Sequence, residues 1–422
     1  MNTKRTNALF PISLLLWLLG GSALAQSFDF RDAKYAFIPR DSSRIEQFGD
    51  HSLEHFFHML DNLREAPQQQ VRILHLGDSH VQGGFYTGRL RKLWQGYPGF
   101  GKGARGFLFP FKLARTNNPP NFRVRYKGDW EKCRNTQRDT VCLIGLAGVS
   151  VTTHDPEALI KLYCDTTGGH FPYYFNKVRI YHPVQDSAFQ VYALDKYGYP
   201  VDAVPDTSQR GFSEIRFDEY QDTLRLAFRQ YSDQQDHFLL QGISLESDSG
   251  GIIYHSGGQN GADVRDYRFR SPNLLTHLPT LRPDLIILSV GTNDAYPARF
   301  DADRFFADYD TLLTTIRTVA PHASILLTTP GDHYRSRRYP SRNPAKAAAV
   351  ILRLGEKHGL AVWDFYTLMG GYQSIDRWKA AGLSARDRVH FSRNGYYMQA
   401  HLLFNAMINA YREHHARQAH SH

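Results

Sequence analysis

Three residue types that together catalyse acyl transfer lie in short polar segments of this chain. Ser79 lies in the turn Gly77–His80, directly after the apolar run Val71–Leu76, and Asp387 and His390 lie three residues apart near the end of the chain. A serine hydroxyl becomes a nucleophile when a histidine takes its proton and a carboxylate orients that histidine. The three residues therefore predict catalysis through an acyl-serine, with Ser79 as nucleophile, His390 as base and Asp387 as its orienting acid.

Structural uses of the same residues remain open at this stage. Serine is a frequent N-cap of helices, so Ser79 could begin a helix without reacting. Asp387 and His390 could form an ordinary surface pair, since the chain contains 20 histidines.

Acyl transfer also needs donors for the negative charge that develops on the carbonyl oxygen. Asn293, in the turn Gly291–Asp294 after the apolar run Leu285–Val290, is placed to donate its side-chain amide. The backbone N–H of Ser79 is a second candidate. The third donor is expected from the glycine-rich stretch His255–Ala262, which follows another short apolar run.

Continuous apolar runs precede these turns, as expected for strands of a parallel sheet that is buried on both faces. A further run covers Ser324–Thr328. Apolar residues recur at helical spacing from Phe305 to Val319, and additional helices are predicted over Pro344–His358 and Asn394–Tyr411. This alternation predicts an α/β fold, in which the polar turns meet at the carboxyl edge of one sheet.

The middle of the chain has a different pattern. Between residues 122 and 249, apolar and polar residues alternate, and turns rich in Asp, Gly, Pro and Ser separate the alternating segments. A period of two is typical of antiparallel strands in a β-sandwich. The predicted strands include residues 177–182, 189–194, 223–228 and 237–243. The sequence thus predicts a β-domain inserted between the nucleophile and the other site residues.

The order of the motifs resembles that of the SGNH (GDSL-type) hydrolases. Gly-Asp-Ser comes early, Gly-Thr-Asn-Asp midway and Asp-x-x-His-Phe-Ser late. The resemblance implies an SGNH-hydrolase (flavodoxin-like) parallel sheet flanked by helices, and it supports the three catalytic roles given above. In the family pattern the glycine before Ala262 supplies the third oxyanion donor, so Gly261 is preferred and Gly258 is the alternative. Gly145 and Gly148 are further candidates, but they lie within the alternating stretch. The expected oxyanion hole consists of Ser79, Gly261 and Asn293.

An inserted β-domain narrows the resemblance to the periplasmic peptidoglycan O-acetylesterases, in which the insert resembles a carbohydrate-binding module. This implies removal of O-acetyl groups from the C6 hydroxyl of N-acetylmuramic acid through an acetyl-enzyme, with O-acetylated peptidoglycan strands as the partner. No metal or organic cofactor is expected. The alternatives are an esterase of another polysaccharide such as xylan, a peptidoglycan O-acetyltransferase, or a non-catalytic protein that binds wall glycan.

The N-terminus has the features of a secretory signal peptide. Lys4 and Arg5 precede the apolar run Ile12–Leu19, and Ala-Leu-Ala ends at Ala25. We therefore expect export to the periplasm or beyond. The predicted division is a signal peptide at 1–25, the catalytic domain at 26–121 and 250–412, the insert at 122–249, and a disordered tail at 413–422.

Cysteine content and charge agree with an exported protein. Of the three cysteines, Cys133 and Cys142 could form a disulfide, which would leave Cys164 free. Lys and Arg exceed Asp and Glu by nine, and the basic residues are scattered along the chain. In an exported protein this excess fits attraction to anionic envelope polymers at least as well as to nucleic acid. No nucleic-acid-binding module is recognisable, so the scattered basic residues are interpreted as an ordinary solvated surface.

Overall fold

A computed structural model describes residues 28–49, 51–164, 173–208 and 211–420. The predicted signal peptide, residues 1–25, lies outside the described residues. The strands, in chain order, are β1 (Glu46–Gln47), β2 (Gln70–Gly77), β3 (Lys102–Ala104), β4 (Gly106–Leu108), β5 (Arg123–Lys127), β6 (Glu131–Arg134), β7 (Val149–Thr153), β8 (Leu159–Tyr163), β9 (Phe175–Tyr181), β10 (Gln190–Leu194), β11 (Pro200–Asp202), β12 (Val204–Pro205), β13 (Phe212–Gln221), β14 (Thr223–Arg229), β15 (Phe238–Leu240), β16 (Gly242–Glu246), β17 (Gly251–Gly258), β18 (Leu285–Ser289), β19 (Ser324–Thr328), β20 (Tyr334–Arg335), β21 (Tyr339–Pro340) and β22 (Ala361–Trp363).

The helices, in chain order, are α1 (Glu54–Glu65), α2 (Ser79–Gln82), α3 (Phe85–Gln95), α4 (Val264–Phe269), α5 (Leu274–Leu281), α6 (Thr292–Ala295), α7 (Ala302–Val319), α8 (Asn343–His358), α9 (Phe365–Met369), α10 (Ser374–Ala380) and α11 (Arg393–His420). Within the described residues, no helix is both long and apolar enough to cross a membrane.

The predicted parallel sheet is present. Its seven strands have the order β1-β22-β19-β18-β2-β17-β3, and all pairs are parallel except β1 with β22. Without the two edge strands, the order by chain position is 2-1-3-4-5, the flavodoxin-like arrangement. Ligands bind such sheets where the strand order reverses, here between β2 and β18. The turns that carry Ser79 and Asn293 follow these two strands.

Apolar residues at helical spacing pack α7 against the sheet. Asp301 caps this helix by accepting a hydrogen bond from the N–H of Arg304 at 3.0 Å, and Tyr309 and Ile316 are fully buried. Two buried apolar clusters cover the two sides of the sheet: one includes residues of α7 and α8, and the other includes residues of α1, α3 and α11. The fold class predicted from the sequence is confirmed.

The insert contains two five-stranded antiparallel sheets, in the orders β11-β10-β14-β8-β5 and β12-β13-β9-β16-β4, and a smaller sheet β15-β7-β6. β4 precedes the predicted boundary at residue 122 but pairs with β16 of the insert. The prediction of one strand over 237–243 is wrong, because the chain changes sheets at Gln241, between β15 and β16. The exact domain boundaries stay a prediction.

The β9-containing sheet of the insert contacts the α/β unit. Arg179 donates to the carbonyl of Thr280 in α5 at 2.7 Å, and the Tyr181 hydroxyl lies 2.7 Å from the Thr280 hydroxyl. Nearby, Arg72 of β2 forms an ion pair with the buried Glu246 at 2.9 Å. The two units therefore share buried polar contacts, and the other five-stranded sheet lies on the outer side of the insert.

Two details at the periphery bear on the sequence predictions. Cys133 and Cys142 form a disulfide, and Cys164 is free and buried. The structure contradicts the predicted disordered tail for residues 413–420, because α11 continues through His420. The physical reason is contact with α1: the His414 ring lies 5.4 Å from the Phe57 ring.

Candidate active site

Ser79 is the first residue of α2, at the carboxyl end of β2. The N-cap is Asp78, whose side chain accepts a hydrogen bond from the N–H of His80 at 2.9 Å. The alternative in which Ser79 serves as the N-cap is therefore wrong. The Oγ atom of Ser79 instead lies 2.8 Å from Nε2 of His390, within hydrogen-bond distance of a base.

Asp387 holds the other side of the His390 ring. Its Oδ2 lies 2.7 Å from Nδ1 of His390, and its Oδ1 accepts the N–H groups of Val389 and His390, each at 3.0 Å. Burial opposes ionisation of Asp387, but these hydrogen bonds outweigh it and hold the pKa of the carboxyl well below its ordinary value. The hydrogen bond to Asp387 in turn raises the pKa of His390 above 6.5, against the effect of burial.

The segment carrying Asp387 and His390 is anchored by residues that the sequence analysis missed. Arg388 adopts a left-handed conformation, with φ of 56°, and its carbonyl accepts the N–H of Tyr334 at 2.9 Å. Its guanidinium lies 3.4 Å from a carboxylate oxygen of Asp376 and 4.6 Å from the centroid of the Tyr334 ring. These contacts are distant in sequence and belong to no recognisable motif, so no local signal could have revealed them.

The candidate oxyanion donors surround the turn that follows β2. As the first residue of α2, Ser79 has no intrahelical acceptor for its N–H. The side-chain amide of Asn293 donates to the carbonyl of Ala262 at 2.9 Å, so Asn293 lies next to Gly261. The same amide nitrogen lies 3.4 Å from Asp78 Oδ2. Gly261 is exposed with φ of 83°, and its N–H has no acceptor among the residues described.

Gly258, the alternative donor, ends β17 and pairs with Gly77 in the parallel register. A Cβ at this position would lie 2.8 Å from the carbonyl oxygen of Asp78 and 2.9 Å from the backbone nitrogen of Gln82. Glycine here therefore permits β17 to approach the nucleophile turn. This close approach gives Gly258 a packing role, and Gly261 stays the preferred candidate for the third donor.

Gln82 joins the glycine loop to the nucleophile helix, and the sequence analysis did not find it. Its Oε1 accepts the N–H of Asn260 at 2.7 Å, and its Nε2 donates to the carbonyl of Asn117 at 3.1 Å. The side chain is 1% exposed. Because Asn260 directly precedes Gly261, this hydrogen bond fixes the loop that presents the candidate donor.

A second histidine lies against the first. The His80 ring centroid is 5.1 Å from that of His390, and His80 Nδ1 lies 3.0 Å from the hydroxyl of Tyr396. Burial, together with the charge that His390 can carry, keeps the pKa of His80 well below its ordinary value. His80 is therefore neutral at neutral pH and does not compete with His390 for a proton.

Burial also affects two carboxyl groups near the oxyanion donors. It raises the pKa of Asp78 to about 6 and that of Asp294 well above its ordinary value. Asp294 accepts the N–H of Val264 at 3.3 Å. These contacts agree with structural roles for Asp78 and Asp294, because each holds backbone of the site.

A cleft of about 400 Å³ lies beside Asn293 and can admit a sugar-sized group. Its wall includes Arg138, Arg265, Arg270 and Arg304. Arg265 and Arg268 both pair with the carboxylate of Asp308. Four aspartates share this wall with the four arginines, so positive and negative charges are mixed there and the wall has no clear excess of positive charge.

Comparison with known proteins bears on this arrangement. Residues 245–398 match the sequence model of the GDSL-like Lipase/Acylhydrolase family. No sequence match to a curated protein was found. The fold is similar to that of a solved peptidoglycan O-acetylesterase, with a TM-score of 0.70 and 23% identity, covering 87% of this chain and 99% of that one.

Two further solved structures match more loosely. A lipase/acylhydrolase from Enterococcus faecalis has a TM-score of 0.31 and 23% identity, covering 37% of this chain and 75% of that one. A family two carbohydrate esterase from Cellvibrio japonicus has a TM-score of 0.31 and 12% identity, covering 68% of this chain and 99% of that one. The family match confirms the predicted resemblance for residues 245–398, and it supports the predicted enzyme class, a serine esterase of the acylhydrolase type.

Proposed function

We propose that this chain, with its GDSL-type acylhydrolase domain, removes O-acetyl groups from wall glycan and that Ser79, His390 and Asp387 carry out the reaction. The observation that carries the proposal is the continuous chain of hydrogen bonds, 2.8 Å from Ser79 to His390 and 2.7 Å from His390 to Asp387. It joins nucleophile, base and orienting acid in the order that acyl transfer requires.

The reaction follows from this geometry. His390 Nε2 takes the hydroxyl proton of Ser79 as Oγ bonds to the acetyl carbonyl carbon. The resulting oxyanion accepts hydrogen bonds from the N–H groups of Ser79 and Gly261 and from the Asn293 amide. His390 then returns the proton to the sugar oxygen as the ester bond breaks. A water molecule, activated by the same histidine, hydrolyses the acetyl-enzyme to acetate.

The glycan we propose is O-acetylated peptidoglycan, with the acetyl group on the C6 hydroxyl of N-acetylmuramic acid. Support comes from the similarity of fold, across both the catalytic unit and the insert, to a peptidoglycan O-acetylesterase. Arginine side chains in the cleft wall beside Asn293 can bind carboxylates of a glycan. The signal-peptide features at residues 1–25 support a site of action outside the cytoplasm.

Acetate release from two insoluble substrates tests the proposal. Mature protein is incubated with O-acetylated peptidoglycan and with acetylated xylan, and Ser79→Ala protein is the control. We expect release from peptidoglycan in strong preference to xylan, and none by the variant. Preference for xylan would mean that the substrate is a different acetylated polysaccharide, hydrolysed by the same catalytic residues.

Two other outcomes would reassign the function. Transfer of acetyl from a soluble donor to de-O-acetylated peptidoglycan, faster than hydrolysis, would make the chain an acetyltransferase. No reaction with either substrate, by protein that is folded and binds peptidoglycan, would favour a non-catalytic glycan-binding protein.

A further inference from the structure

The outer sheet of the insert has two contrasting faces. In the sheet β11-β10-β14-β8-β5, alternate residues point inward and are at most 2% exposed: Val124, Ile160, Leu162, Val191, Ala193, Leu224 and Leu226. Because neighbouring residues of a strand point to opposite faces, the residues between them form the other face. Apart from the buried Ala227, that face is exposed or half-exposed.

Basic side chains dominate this second face. Arg125 pairs with Lys161 across β5 and β8, and Lys161 pairs with Arg225 across β8 and β14. Directly paired residues lie on the same side of an antiparallel sheet, so the three cations form one row. We define the basic face as the six cations on this side of the sheet: Arg123, Arg125, Lys127, Lys161, Arg225 and Arg229.

Among the described residues, carboxylates neutralise only part of the basic face. Arg229 pairs with Asp202. Lys127 lies 3.4 Å from Glu157, and both of these side chains are largely exposed. Within the described part of the chain, Arg125 and Lys161 have no carboxylate at ion-pair distance. Like charges placed opposite each other destabilise a sheet. Such a row is therefore better explained by an anionic partner than by the stability of the insert.

Two tyrosines lie within the basic face. The centroid of the Tyr163 ring is 5.0 Å from the Lys161 ammonium and 5.3 Å from the Arg123 guanidinium. Arg229 lies 4.1 Å from the centroid of the Tyr192 ring. Aromatic rings restrict the motion of these long side chains, and guanidinium groups held in this way can bind carboxylates in a bidentate manner.

We propose that the basic face binds the carboxylate groups of wall glycan strands, as a second contact separate from the site at Ser79. The identity of the polymer rests on the proposed function. A strand of peptidoglycan repeats its carboxylates along its length, so several can engage the row of cations at once. The β9-containing sheet lies between the basic face and the α/β unit, so this contact holds the enzyme on its polymer without occupying the catalytic cleft.

Sedimentation with insoluble peptidoglycan tests the proposal. Mature Ser79→Ala protein serves as the parent, so that binding is measured without turnover. One variant carries Arg125→Gln, Lys161→Gln and Arg225→Gln. The matched control removes three exposed cations from helices of the catalytic unit, by Lys346→Gln, Arg353→Gln and Lys379→Gln.

We expect binding by the basic-face variant to be weaker by about tenfold, since each exposed ion contact contributes roughly a factor of two to three. The control variant should bind like the parent. Amidation of the peptidoglycan carboxyl groups with carbodiimide should weaken binding by the parent, whereas removal of its acetyl groups should not. Higher salt should weaken binding, because the contacts are exposed.

Equal binding by the parent and the basic-face variant would overturn the proposal, as would equal losses in the basic-face and control variants. Stronger sedimentation with phosphatidylglycerol vesicles than with peptidoglycan would overturn it in favour of a membrane surface. The proposed function is tested apart from this by acetate release with Ser79 present. If acetate release fails while binding still depends on the basic face, only the proposed function is lost.

Discussion

At the scale of the residue, the reactivity of Ser79 depends on how Asp387 controls His390. The hydrogen bond between them raises the pKa of His390 above 6.5. Only neutral imidazole can accept the proton of Ser79, so kcat/KM must rise with pH as His390 loses its proton. The midpoint of this rise is expected above pH 6.5.

Asp387→Asn should lower kcat on the order of 10³- to 10⁴-fold and move this midpoint to lower pH. The midpoint moves to lower pH because the variant lacks the carboxylate that raises the pKa of His390. Burial, which lowers the pKa of His390, is unchanged. Asp376→Asn is the matched control: it removes the ion pair with Arg388 but leaves the bond to His390 intact. A pH–rate profile of the Asp387 variant with an unshifted midpoint would contradict this role.

The residues of the site differ in how far the sequence could predict them. Ser79, Asn293, Asp387 and His390 lie in short motifs next to strands or near the last helix, so local patterns were sufficient to find them. Gln82, Tyr334 and Asp376 act through contacts with residues that lie 12 to 178 positions away along the chain. No pattern within a short window records such contacts, and only the fold reveals them.

At the scale of the element, the link between α2 and the glycine loop can be tested at Gln82. Gln82→Met keeps the length of the side chain but removes its bonds to Asn260 and Asn117. We expect kcat to fall roughly tenfold with little change in KM, because the Gly261 N–H is no longer held near the position of the oxyanion.

Gln95→Met provides the matched control. Gln95 is a buried glutamine of α3 that donates to the carbonyls of Ala104 and Ile252. Both variants lose hydrogen bonds and should melt at lower temperatures, but only the Gln82 variant should lose kcat. Equal effects on kcat would mean that Gln82 contributes stability alone.

The elements also show where sequence patterns are insufficient. Continuous apolar runs predicted β2, β18 and β19, because a strand buried on both faces consists of apolar residues throughout. Apolar residues at helical spacing predicted α7, because that helix buries one side. The segment 237–243 reads as one alternating strand, yet it divides between two sheets at Gln241. Alternation reports which side chains are buried and does not report which sheet buries them.

At the scale of the whole molecule, the contact between the insert and the α/β unit contains a buried histidine. His277 of α5 is 0% exposed, neither ring nitrogen has a hydrogen-bond partner among the described residues, and its ring lies 4.7 Å from that of Tyr181. Burial lowers its pKa to about 3. The unfolded chain therefore binds a proton at His277 below pH 6.5, whereas the folded protein does not bind it until about pH 3.

Stability should consequently fall as the pH drops from 7 to 4, and His277→Leu should remove part of this fall. The part due to His277 is roughly 3 kcal/mol at pH 4, from 1.36 kcal/mol for each pKa unit. Thermal unfolding of both proteins across this pH range measures it, with His322→Gln as an exposed-histidine control. A constant difference between wild type and the His277 variant at all pH values would contradict the argument.

The proposed reaction requires that Ser79 carries the acetyl group during turnover. The most direct measurement is acid quenching of the enzyme during reaction with 4-nitrophenyl acetate, followed by digestion and mass spectrometry of the peptides. We predict acetyl on the peptide that contains Ser79, and its absence from Ser79→Ala protein, whose kcat should be lower by roughly 10⁴- to 10⁶-fold. Acetyl on a different residue, or turnover retained by the variant, would exclude Ser79 as the nucleophile.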